Sequence, residues 1–278
     1  MNSNSSIANL PPVSETLLIT TYLRSLETQR VNGIIKDDKS VEIVDCLDYD
    51  FSQYNSSLNQ ALIAIRTEVI DEFVSHFILQ NPHTTVVNLG AGLCTRFFRL
   101  DNSLVHWIEI DIPLVKPIWD SFLGETERHQ FHASCVLNLN WIKKIKEMKV
   151  RNPLFIAEGL LMFFSEIEVK YLLQNIRDSF PNSEIIFDSL GVFLAQNSRL
   201  NSQSLGFNTS YKWGIDDLAE IENWGARIKL VNQWHYLDRH KTRLGWLGLF
   251  SYLPMLRKQV KIGHFQFCQE GLFNYTKT

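Results

Sequence analysis

Gly90-Ala91-Gly92 follows the apolar run "TTVVNL", and two acids, Glu109 and Asp111, close a second apolar run 19 and 21 residues after Gly90. Small residues at the end of a strand let a ligand lie close to the backbone. An acid at the tip of the next strand can accept from both hydroxyls of a ribose. A dinucleotide site uses G-x-G-x-x-G, with the third glycine allowing close helix packing. Counting from Gly90, that third position is Thr95. The turn therefore fits S-adenosylmethionine, which has a ribose diol and no pyrophosphate, better than a nicotinamide dinucleotide. The plain alternative is a tight turn beside two solvated acids.

Such chemistry needs an open sheet to hold it, and the chain supplies one. From Thr84 onward strand-like and helix-like segments alternate. Expected strands are 84–89, 104–110, 128–133, 154–157 and 184–187, with later ones in "ARIKLVNQW" and "QVKIGHFQFC". Helices are expected at 58–79, from Pro113 to about Phe122, up to Met148, and from a Ser165 cap to Ser179 with Glu168 completing a capping box. The pattern predicts an α/β fold, a mostly parallel sheet with helices on both faces. Upstream, "SETLLITTYLRSLETQR" reads as a helix capped by Ser14. A polar loop around "NGIIKDDKS" and an acidic patch follow it. Pro254 is expected to end any helix in the basic segment 239–257.

With 278 residues and 45% hydrophobic content, the chain is long enough for one large domain. A net charge of −3 supplies no basic field for nucleic acid, and none is expected to bind. The apolar runs are too short to span a bilayer, so no membrane is expected either. Residues 1–12 are polar, lack a signal pattern and read as a frayed tail. Cys46, Cys94, Cys135 and Cys268 have no metal-ligand or redox spacing, as suits reduced thiols in a cytoplasmic protein. No metal site is expected.

"VVNLGAGLCTRFFRL…WIEIDIP" resembles the core motif of the leucine carboxyl methyltransferase family, whose bacterial branch includes polyketide O-methyltransferases of the tetracenomycin type. "SETLLITTYLRSLETQR", "IIKDDKSVEIVDCLDYDFS", "IRTEVID", "LFIAEGLLMFF", "FPNSEIIFDS" and "WGIDDLAEIENWG" follow in that family's order. The likeness covers most of residues 14–270. It implies a Rossmann-like class I methyltransferase fold of seven strands, with an N-terminal helical lid and a C-terminal cap insertion. The expected divisions are a lid at 13–57, a cofactor-binding core at 58–190, an acceptor cap at 191–257, and a last strand and tail at 258–278.

The resemblance also implies roles. Gly90 and Gly92 pass under the methionine part of S-adenosylmethionine. Asp111 holds the ribose hydroxyls, with Glu109 second to it. Arg66 pairs with the cofactor carboxylate, as the fork of a guanidinium allows. Its plain alternative is an ion pair with Glu68 or Asp71. Glu158 lies near the cofactor amino group, and the backbone of Cys135 and Val136, or the Asn138 amide, meets adenine. Two residues depart from the family pattern: Cys94 replaces the Asp of "GLDTR", and Asn138 stands where an acid often follows. At a helix start the Cys94 thiol could be acidified, but an inert side chain is expected.

The acceptor is expected to be a small secondary metabolite, free or carrier-bound, methylated on a hydroxyl or carboxylate. The alternatives are a protein C-terminal carboxylate, a nicotinamide-dependent oxidoreductase, or a binding protein that has lost the chemistry. Segment 191–254 holds four of the seven tryptophans, Trp213, Trp224, Trp234 and Trp246. Phe207, Tyr211 and Trp213, with Tyr22 and Arg24 from the lid, are the expected acceptor-side residues. Trp224 and Trp234 read equally well as core. No catalytic base stands out; His235, His240, His264 and Asp188 are the candidates.

Overall fold

Seven apolar stretches form strands in the computed structural model, which describes residues 12–150, 152–197 and 210–269. They are β1 (Thr85–Leu89), β2 (His106–Asp111), β3 (His129–Ala133), β4 (Leu154–Ala157), β5 (Glu184–Leu190), β6 (Ile228–His235) and β7 (Val260–Phe267). Residues 1–11 of the expected tail and Phe207 lie outside the described residues. The sheet order is β3-β2-β1-β4-β5-β7-β6. Strands β1 to β5 are mutually parallel, and β7 runs antiparallel to both β5 and β6. This is a Rossmann-like α/β sheet. Its order reverses at β1, from which the chain builds first toward β2 and β3 and later toward β4 and β5. Ligands of such sheets bind beyond the carboxyl ends of the strands at that switch.

Side chains alternate between the two faces along each strand. Val87, Ile108, Phe155, Ile185 and Phe265 face α6 (Asn140–Glu147) and α7 (Glu166–Ser179). Val86, Leu154, Ile156, Ile186 and Ile262 face α3 (Ser57–Gln80) and α4 (Arg96–Leu100). A third cluster joins α1 (Pro12–Thr28), α2 (Asp38–Asp45) and α5 (Lys116–Phe122) through Leu18, Ile19, Ile43, Ile118 and Trp119. The Ser165–Glu168 capping box opens α7 as expected. No helix among the described residues is long and apolar enough to cross a membrane.

Three local expectations need correction. The loop at "KDDKS" contains α2, because the Asp37 carboxylate accepts the Ser40 N–H and caps a new helix. Helix α1 begins at Pro12, so Ser14 lies inside it; proline fits a first turn, where its missing N–H costs nothing. Pro254 opens the helical turn Pro254–Arg257 for the same reason, after a 3₁₀ helix at Gly245–Tyr252.

Candidate active site

The backbone after β1 turns sharply at Gly90 and Gly92, with φ of +66° and +52°. L side chains rarely adopt this region, and space excludes them as well. A Cβ on Gly90 would come within 2.6 Å of Leu160 Cδ1. One on Gly92 would come within 3.2 Å of Leu17 Cβ on α1. The N-terminal helix therefore rests directly over the turn. The Gly90 N–H donates to the Ile110 carbonyl at 2.8 Å, and the Gly92 N–H donates to Asp111 Oδ2 at 2.7 Å. The turn is thus fastened to the tip of β2. Burial pushes the Asp111 carboxyl up, against the Gly92 and Ile112 N–H groups that favour its anion.

Glu109 has other partners. It is fully buried, accepts from Asn88 Nδ2 at 2.7 Å, and lies 3.1 Å from His129 Nε2. Two residues along a strand restore the same face, so burial and partners distinguish the two acids. Asp111 is only partly buried, while Glu109 remains in the interior. Glu109 is therefore not the acid at the turn.

Across the switch point, β4 ends at Ala157 and Glu158 follows. Its carboxylate bridges two arginines: Arg66 Nε at 2.8 Å and Arg96 Nη2 at 2.5 Å. Arg66, from α3, also meets Asp188 Oδ2 at 3.3 Å, at the carboxyl end of β5. It pairs with neither Glu68 nor Asp71. Arg96 pairs with Asp71 at 2.6 Å. Burial alone would raise the Glu158 carboxyl, but Arg96 and Arg66 outweigh it and hold the group well below the usual carboxylate range. A chain of alternating charge continues from Asp71 to Arg99 (2.7 Å), from Arg99 to Asp37 (2.9 Å), and from Asp37 to Arg24 (2.9 Å) on α1. Arg24 Nη2 donates to the Leu93 carbonyl at 3.0 Å, just beneath the turn.

Arg96 and Arg99 were not singled out from the sequence, although "CTRFFR" places two arginines three residues apart on one helix face. Cys94 sits among these charges, its sulfur 3.5 Å from Arg96 Nη1. Burial pushes its thiol up despite the nearby guanidinium, so the acidified thiol does not arise.

On the adenine side, Cys135 is exposed and Val136 is buried. The Val136 carbonyl accepts from Trp141 Nε1 at 2.9 Å. The Cys135 carbonyl accepts the Asn138 N–H at 2.9 Å.

The acceptor-side residues separate. Tyr211 packs edge-on against Phe163, whose 3₁₀ turn follows Glu158, and it feels the charges of Arg66 and Asp188. Trp213 is buried against Trp224, centroids 5.9 Å apart, where residues 213–221 cover one face of the sheet. Trp234 packs against Phe73 and Trp246 is exposed. Tyr22 stacks on Phe51 at 4.4 Å within the N-terminal cluster.

Each candidate base is engaged. His264 lies 2.7 Å from Glu184 at the opposite end of β5, and His240 lies 2.9 Å from Glu68. His235 has Asp238 at 3.8 Å. The Asp188 carboxylate accepts the Gly159 N–H at 2.6 Å besides Arg66.

The family model described as leucine carboxyl methyltransferase matches residues 18–177. The tetracenomycin polyketide synthesis O-methyltransferase TcmP of Streptomyces glaucescens is 25% identical over 231 residues, 82% of this chain and 85% of its own. The S-adenosyl-L-methionine-dependent methyltransferase dpfgK of Gibberella zeae is 28% identical over 265 residues, 87% of this chain and 89% of its own. A solved DUF574 family protein from Streptomyces avermitilis shares the fold, with a TM-score of 0.60 at 13% identity over 93% of this chain and 100% of its own.

Proposed function

The chain belongs to the leucine carboxyl methyltransferase family and is an S-adenosylmethionine-dependent methyltransferase; from that premise we propose that it methylates an oxygen of a small secondary metabolite of polyketide or peptide–polyketide type. The observation that carries the site assignment is the pairing at the switch point. Two glycines in left-handed conformation are tied to the strand-end acid Asp111, opposite an arginine, Arg66, that is anchored by carboxylates. That donor set matches the cofactor group by group. The Asp111 carboxylate accepts from the ribose hydroxyls, Arg66 donates to the cofactor carboxylate, and Glu158 faces its ammonium. Gly90 and Gly92 clear the space beneath the methionine chain. Adenine meets the exposed backbone at Cys135.

The bound cofactor supplies a methyl on a sulfonium, ready for in-line displacement. The protein's part is to orient the two reactants and exclude water. Helix α1, resting on Gly92, serves as the lid. Tyr211 lines the acceptor side next to Glu158. Among the described residues the three candidate histidines are either paired or remote, and Asp188 is fixed by Arg66 and the Gly159 N–H. This supports an acceptor that ionises without an enzymic base, a carboxylate or an acidic phenol. The relatives' names support the same class, since one is named for polyketide synthesis.

The test is transfer of isotopically labelled methyl from S-adenosylmethionine to a panel of aromatic carboxylic acids, phenols and aliphatic alcohols. Label should enter methyl esters or aryl ethers. Label confined to aliphatic ethers, or to the C-terminal carboxyl of a protein, would contradict the acceptor class.

A further inference from the structure

The connection from β6 to β7 crosses the carboxyl edge of the sheet, since His235 and Val260 both lie level with the end of β5. Its middle, "GWLGLFSYLPML", carries no charge. Most of it is the 3₁₀ helix Gly245–Tyr252, in which residues three apart stand above one another. Leu244, Leu247 and Phe250 form the inner row and pack on the α3 face of the core. Trp246, Leu249 and Tyr252 form the outer row at the same spacing, and Met255 is exposed on the helical turn that follows. They are 69%, 66%, 74% and 69% exposed. Leu253 beside them is 51% exposed. A helix apolar on every side is normally covered on every side, and contiguous apolar surface of this kind marks an interaction site.

The charges around the row decide its partner. From Arg239 to Gln269 the chain has no Asp or Glu. The arginines here are paired with acids elsewhere: Arg239 with Glu68 and Glu72, Arg243 with Glu27, and Arg257 with Asp238. Lys241 and Lys258 flank the row, are exposed, and have no ion pair among the described residues. Lys241 lies 4.4 Å from the centre of the Tyr252 ring. The row presents Trp and Tyr among aliphatic side chains, with lysines that have no ion pair among the described residues at both ends. An anionic bilayer surface accepts that combination, with apolar tips at the acyl boundary and ammonium groups among the headgroups.

We propose that the outer face of Gly245–Met255 docks the enzyme on an anionic lipid surface. The ridge stands on its own evidence. Combined with the acceptor reading above, it would place the site's edge of the sheet toward a medium that dissolves apolar acceptors.

The test is sedimentation of the full chain with phosphatidylcholine vesicles, with and without phosphatidylserine. The chain should pellet with the phosphatidylserine vesicles and much less with phosphatidylcholine alone. Lys241→Glu with Lys258→Glu should weaken partition at least about tenfold, since each basic residue near such a surface is worth about a fivefold factor. Trp246→Ser with Leu249→Ser should abolish it while S-adenosylmethionine binding is retained, which shows that the variant folds. Equal pelleting of this variant and the parent would overturn the proposal, as would no pelleting of the parent. Dimerisation through the ridge, seen by light scattering without lipid and lost in the Trp246 and Leu249 variant, would overturn it in favour of a second copy of the chain.

Discussion

Arg66 spends two of the five N–H donors of a guanidinium on Glu158 and Asp188. In the proposed function the others serve the cofactor carboxylate. Arg66→Ala should weaken S-adenosylmethionine binding by about tenfold or more, since a hydrogen bond to a charged group is worth about 1.5–3 kcal/mol. Arg66→Lys should recover only part, because an ammonium cannot bond two carboxylates as a planar fork does; calorimetric titration of both variants checks this. Glu158 has a different signature. Glu158→Gln removes the shared partner of two nearly buried arginines, and breaking a buried pair costs about 3–5 kcal/mol. Arg66 keeps Asp188 and Arg96 keeps Asp71, so the loss in urea unfolding should sit near the lower end. Cys94 should resist alkylation at neutral pH while the exposed Cys46 and Cys135 react, and mass spectrometry of the modified peptides would show the order. Arg66 and Glu158 were legible in the chain through the family resemblance, and Asp111 also through its place at the end of the second strand. Arg96 was not, because its role depends on Asp71 and Glu158, 25 and 62 residues away.

One carboxylate ties both N-terminal helices to the core. Asp37 caps α2, accepts from Thr95 at 2.6 Å, and pairs with Arg24 of α1 and Arg99 of α4. Burial would raise its carboxyl, but Arg99 and Arg24 prevail and hold it at about 2, against 3.8 in the unfolded chain. The folded value is the lower one, so the unfolded chain takes up the proton first as pH falls. The stabilisation is complete above about pH 4 and is lost as pH drops toward 2. At about 1.4 kcal/mol per unit it amounts to about 2 kcal/mol. Asp37→Asn should therefore flatten the decline of stability between pH 4 and 2, measured by urea unfolding across that range. An unchanged slope would mean that Asp37 is not the anchor. Helix α2 escaped the sequence reading because its stretch is short, polar and rich in loop formers. Its one cue was an aspartate three residues before a serine. The long apolar α3 and the capping box of α7 carried their own signals and lie where the pattern put them.

The mostly parallel α/β sheet follows from the alternating strand and helix segments, and its seven strands from the family resemblance; the strand order and the place of β7 between β5 and β6 rest on the pairings alone. What the chain concealed was which aromatics are core. Trp213 and Trp246 lie in one tryptophan-rich segment, yet one is buried in the sheet's face and the other faces outward. The difference is set by which strand edge each connection crosses, and composition does not encode that. The central claim for the molecule is that its switch point holds an adenosyl cofactor without phosphate. Calorimetric titration of the purified chain with S-adenosylmethionine, S-adenosylhomocysteine and NAD tests it directly. Both sulfur ligands should bind at one site, and Asp111→Ala should weaken each by about tenfold. Binding of NAD with no heat from either sulfur ligand would contradict it.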